Sequence, residues 1–179
     1  GRYMYIFQPH AVSPLIQAWM VDQRLRDVLG SIIAAHTPGW DGGYKCMQSM
    51  FVTRKAGAPG SPWHQDEHPI PTRDRSLCGI WIALSDTTTE NGALWVVRDS
   101  HKPGIIYDRK PHALPAVDSM PQAVGFEEQT ANAVPLPMKR GDVLCFVRAT
   151  IPLPCPCSPS RLIGLNSCTE RLHPARLAA

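Results

Sequence analysis

Residues 48 to 104 read QSMFVTRKAGAPGSPWHQDEHPIPTRDRSLCGIWIALSDTTTENGALWVVRDSHKPG, and the fold is decided within them. From Lys45 to Thr53 the pattern has a period of two, which predicts a strand with Cys46, Gln48, Met50 and Val52 on one face. A second strand is predicted from Cys78 to Ser85. Gly79, Trp81 and Ala83 share one of its faces and Cys78, Ile80, Ile82 and Leu84 the other, so a large indole sits between two small residues and leaves room beside it. Ala93 to Val97 is a third strand, after a turn at Asp86 to Gly92. Between the first two strands stands Trp63-His64-Gln65-Asp66-Glu67-His68. In an extended chain residues i and i+2 point the same way, so His64 and Asp66 aim an imidazole and a carboxylate at one point, whereas Glu67 and His68 break from that pair. Those are two of the three protein ligands in the two-His, one-carboxylate set that holds Fe(II) and keeps positions open. Alone the triplet is weak. With 7 His and 15 acidic residues in the chain, a solvated turn is its ordinary reading.

The neighbouring strings give it specificity. Gln48-Ser49-Met50, the Lys55 to Gly60 loop, WHQD at 63–66, GIWIAL at 79–84, ENGALW at 90–95 and the G-S-H-like Asp99-Ser100-His101 stand in an order that resembles the phytanoyl-CoA dioxygenase family of Fe(II)/2-oxoglutarate oxygenases. A fainter likeness runs upstream through Pro9 to Leu29 and downstream to KRGDVLCF at 139–146. The resemblance implies a mainly β fold with N-terminal helices, a double-stranded β-helix of the jelly-roll, cupin-like kind. It also implies Fe(II) and 2-oxoglutarate as cofactors, with a small organic substrate and O2 as partners. His64 and Asp66 become the metal ligands. Met50 and Trp81 would lie along the cosubstrate with Gln48 hydrogen-bonding it, although plain core packing accounts equally for Met50 and Trp81. A carboxylate at position 66, rather than Ala or Gly, points to hydroxylation instead of halogenation. The Pro-rich segment from Lys102 to Met138 has no evident regular structure and corresponds to part of the family's lid over the substrate.

Outside that block, Ser13-Pro14 opens a helix with Ser as N-cap and Pro at the first turn, burying Leu15, Ala18, Trp19 and Met20. Asp22 caps a second helix that buries Leu25, Val28, Leu29, Ile32 and Ile33. Asp142 to Arg148 is a fourth strand. These elements define an oxygenase-like domain over 1–146 and a divergent Pro/Cys-rich tail over 147–179. The family has a second His and an Arg for the cosubstrate beyond Phe146, but here the first His is His173. Arg161 lies nearest the expected Arg position. Five prolines between Pro152 and Pro174 predict that no central ladder strand forms there. Three readings fit the tail: a shifted frame or alternative exon, divergence to an inactive binding module, or a fold returning His173, less readily His112, as a ligand.

At 179 residues and 44% apolar, the chain has the length for one domain with a sizeable core. Its net charge of +3 sits in the tail, since residues 1–138 carry 12 basic and 13 acidic side chains. The body therefore has no basic stripe, which argues against nucleic acid as a partner. No apolar run reaches the ~18 residues of a membrane span and no signal-peptide pattern opens the chain, so an intracellular location is expected, with a targeting segment able to precede Gly1. Cys46, Cys78 and Cys145 sit singly in apolar runs as free thiols, and Cys155-Pro-Cys157 with Cys168 lacks the paired spacing of a zinc site.

Overall fold

A computed structural model describes residues 5–53, 61–72, 76–101, 104–111, 121–126 and 132–147, with the backbone of strands at 152–154 and 161–168. After strand β1 (Tyr5–Phe7), helices α1 (Pro14–Met20) and α2 (Gln23–His36) start at the expected caps. The Ser13 hydroxyl accepts from the Ile16 N–H, and the Asp22 carboxylate from the Arg24 N–H. The inward stripe of α1 differs from expectation. Ile16, Trp19 and Met20 pack on the core, while Leu15 and Ala18 face solvent, because a two-turn helix resting along 16–19–20 carries residue 15 about 100° away. In α2, Leu29 and Ile33 are buried and Val28 is exposed.

The cap at Asp22 is charge-assisted. The Arg24 side-chain hydrogen bond, helped by the Arg24 backbone N–H, holds the Asp22 carboxyl down to about 2. A carboxyl depressed in the folded state stabilises above its unfolded value of roughly 3.9, and that contribution fades as pH falls through about 2. Helical circular dichroism is therefore expected to fall on acidification from pH 4 towards 2, and Asp22→Ala should remove part of that pH dependence.

The main sheet has five strands in the order β1, β2 (Lys45–Thr53), β10 (Arg161–Cys168), β3 (Cys78–Ala83) and β8 (Val143–Val147), with every neighbouring pair antiparallel. One face carries Cys78, Ile80 and Ile82 against Leu29 and Ile33 of α2. Each large aliphatic side chain buried there contributes roughly 1.5–3 kcal/mol. The other face carries Val52 and Ala83, with Met50, Trp81 and Leu144 packed beside them. The expected division of β3 therefore holds. That of β2 does not hold throughout, because a bulge lets Ser167 pair with Cys46 directly after Asn166 pairs with Gln48. Skipping Met47 flips the alternation, so Cys46 lies among Trp19, Leu29, Tyr44 and Ile80 on the helix side.

Beside Trp81 the room is already taken. Gly79 pairs with Phe146 of β8, and a Cβ built on Gly79 would meet the Phe146 ring at 2.2 Å. Near by, burial and then the neighbouring Cys145 thiol push the Cys78 thiol up to about 12. Cys78 should thus resist iodoacetamide at pH 8 in the native chain and react only after denaturation, as read by peptide mass mapping.

The tail corrects the proline argument. Residues 161–168 form the central strand, paired with β2 on one side and β3 on the other. The run RLIGLNSC lies between Pro159 and Pro174 and contains no proline, so its N–H groups are available to both neighbours. A second sheet has the order β7 (Ala133–Leu136), β4 (Leu94–Val97), β9 (Pro152–Pro154). Its prolines, Pro135, Pro152 and Pro154, fall on the two outer strands, where a missing donor is tolerated. The segment expected to be irregular thus supplies β7, and also a short ladder of β5 (Arg109–Lys110) with β6 (Gln122–Ala123).

Candidate active site

His64 and Asp66 converge as expected, by a different backbone. The strip 63–66 belongs to no strand. It enters a turn in which the His68 N–H donates to the Gln65 carbonyl at 3.1 Å and the Ile70 N–H to the Asp66 carbonyl at 3.1 Å. Within it His64 Nε2 stands 3.4 Å from Asp66 Oδ1, the two side chains being 14% and 18% exposed. His64 Nδ1 lies 2.8 Å from the Pro62 carbonyl oxygen. A carbonyl can only accept, so Nδ1 carries a hydrogen, and Nε2 faces the carboxylate.

That donor set fits two ligands of a divalent metal. Ligand atoms roughly 2.1 Å from a metal on adjacent octahedral vertices stand about 3 Å apart, near the observed separation. A backbone carbonyl on the remote ring nitrogen is also the usual partner of a ligating His. Among the described residues no third His, Cys, Asp or Glu joins the pair. His112 and His173 lie outside the described residues.

Neither Glu67 nor His68 joins the pair as a third ligand. Glu67 is 4% exposed, and its Oε1 accepts from both the N–H and the hydroxyl of Thr72, latching the turn; its Oε2 is buried without a partner. Met50 and Trp81 meet in one cluster on the inner sheet face, and Gln48 precedes Met50 on that face beside the bulge. Tyr5 packs on this cluster and places its hydroxyl 3.3 Å from that of Ser61, three residues before His64. Neither Tyr5 nor Ser61 carries a signal in the sequence. Position 161 pairs with Thr53 at the end of β2.

The residues between the ligand candidates are also fixed. Gln65 is 2% exposed; its Nε2 donates to the Ile105 carbonyl at 3.0 Å and its Oε1 accepts from the Tyr107 N–H at 2.8 Å. The Ala123 N–H donates to the Trp63 carbonyl at 2.8 Å, and the Trp63 ring is buried among Trp95, Val97, Tyr107 and Phe126. Asp99, in the G-S-H-like string, has φ of 63°, a left-handed conformation that glycine adopts without strain.

The mainly β fold is shared with solved structures. A solved non-heme monooxygenase, ThoJ, superposes with a TM-score of 0.73 at 18% identity, covering 95% of this chain and 61% of that one. EvdO2 from Micromonospora carbonacea var. aurantiaca, solved with 2-oxoglutarate, gives a TM-score of 0.69 at 18% identity, covering 93% and 66%. Residues 7–152 match the family model for phytanoyl-CoA dioxygenase (PhyH), and the chain belongs to that family. A phytanoyl-CoA dioxygenase of Arabidopsis thaliana is 32% identical over 101 residues, 54% of this chain and 32% of the relative. Phytanoyl-CoA dioxygenase 1 of Oryza sativa is 40% identical over 60 residues, 33% and 21% respectively. The chain thus spans about a third or less of these curated relatives. No described helix is long and apolar enough to cross a membrane.

Proposed function

We propose that this chain is an Fe(II)/2-oxoglutarate-dependent dioxygenase that hydroxylates an unactivated C–H bond of a small organic substrate. The observation that carries the reading is the His64 Nε2 to Asp66 Oδ1 approach of 3.4 Å with His64 Nδ1 tied to the Pro62 carbonyl, in a chain whose family is phytanoyl-CoA dioxygenase. The five-stranded and three-stranded sheets are read as the two walls of a double-stranded β-helix. His64 would give the metal a neutral nitrogen ligand and Asp66 an anionic oxygen that offsets part of the cation's charge. Iron with 2-oxoglutarate would supply O2 activation, with loss of CO2 and formation of succinate. The chain's own part is geometric. The Pro62 carbonyl fixes the His64 tautomer, and Met50 and Trp81 would keep water from the cosubstrate, with Gln48 as a hydrogen-bonding partner. Arg161, opposite Thr53 at the start of β10, is the weakest candidate for the cosubstrate's far carboxylate.

A second reading has a specific observation behind it. With no third ligand among the described residues, the chain would be a binding module that holds metal loosely or lacks turnover. The deciding experiment measures succinate released from 2-oxoglutarate in air with Fe(II), against an anaerobic control. O2-dependent succinate supports the dioxygenase; none supports the binding module.

A further inference from the structure

We infer that Gln65 is a positioning residue, one that holds the His64–Asp66 pair in register by clamping it to the chain segment around residues 105–107. The inference rests on the metal-site reading above and goes beyond it. Along the strip 63–66, alternate residues have separate tasks. His64 and Asp66 face each other, while of the buried Trp63 and Gln65 the first accepts at its carbonyl from Ala123, sixty residues later, and the second is bonded to a segment some forty residues later. The Gln65 carboxamide acts there as a neighbouring peptide would, donating to Ile105 O and accepting from Tyr107 N. Its orientation follows from those partners, because a carbonyl needs a donor and an N–H an acceptor. The Ala123 N–H on the Trp63 carbonyl and the edge contact of Tyr107 with Phe126 at 5.0 Å brace the same segment.

The consequence falls on His64. Its Nδ1–H reaches the Pro62 carbonyl only while the backbone on both sides stays in place, and in the neutral ring that contact selects the tautomer with the hydrogen on Nδ1 rather than Nε2. Neither Gln65 atom faces the reacting centre, so its effect passes through its neighbours. Shape alone would be satisfied by Leu at this position, but two partly buried backbone groups, Ile105 O and Tyr107 N, would then lose these bonds.

The test uses the whole chain, with Gln65→Leu and the milder Gln65→Glu, which keeps an acceptor for the Tyr107 N–H and loses the donor to Ile105 O. Ring nitrogen-15 shifts of His64 in alkaline buffer report the tautomer. Wild type should show Nδ1–H alone, and both variants a mixture, larger in Gln65→Leu. Unchanged shifts in both variants, with the chain folded by circular dichroism, overturn the inference. Titration with Co(II) forms the second arm. There Gln65→Leu should bind roughly 10-fold or more weakly, and equal affinity would also count against the clamp. Co(II) binding by His64→Ala at wild-type strength would instead overturn the metal site, leaving the tautomer measurement to decide the clamp by itself.

Discussion

In His64→Ala, succinate formation that depends on Fe(II) and 2-oxoglutarate is expected to fall by more than the roughly 10–100-fold typical of losing an outer partner of a ligand. The size follows from what remains. Without the imidazole, Asp66 is the sole protein donor among the described residues of the strip, and a cation held by one carboxylate and water exchanges freely. The variant should fold, because the ring is not part of a described core cluster and its exchange for a methyl group leaves the Gln65 and Trp63 contacts intact. Circular dichroism checks folding and chromatographic detection of succinate checks turnover. Equal turnover in the two proteins would remove iron from His64.

Gly79→Ala is expected to be the most damaging single-methyl change in the main sheet. The new carbon would lie 2.2, 2.5 and 2.7 Å from three Phe146 ring atoms, distances at which something must move. Phe146 is buried and paired directly opposite on β8, so the ring can leave only by opening the β3–β8 ladder or by displacing its neighbours. Overpacking of this kind costs about 1–3 kcal/mol, a large share of the roughly 5–15 kcal/mol that holds a domain folded. For a chain of this length the melting temperature should drop by roughly 2–4 °C per kcal/mol. Phe146→Leu alone should destabilise, yet should recover part of the loss when combined with Gly79→Ala. Strict additivity in that double-mutant cycle would mean that the ring and the glycine are not coupled.

Much of this is legible in the sequence. A period of two marks β2 and β3, since a half-buried pleat demands it, and Ser13 and Asp22 announce the helix starts because each offers an oxygen to an orphan N–H. The convergence of His64 and Asp66 is also legible, though the backbone that delivers it is an irregular strip leading into a turn rather than a strand. What escaped depends on partners far along the chain. Nothing local marks Gln65 as bonded to residues 105 and 107, or Phe146 as the ring that fills the gap over Gly79. The bulge at Met47 moves Cys46 to the other face without a Gly or Pro to signal it. The central strand at 161–168 is hidden by the prolines of the tail as a whole, whereas a ladder responds only to those within the paired residues.

The smaller sheet has a further property that follows from its two outer strands. Two of the three residues of β9, and Pro135 of β7, bring no N–H to their borders. A foreign strand approaching either border would find an interrupted row of donors and could not zip along it. The flanks of Leu94–Val97, one of the most apolar runs in the chain, are thereby closed to intermolecular stacking, and these three prolines would help to keep concentrated solutions free of fibrils.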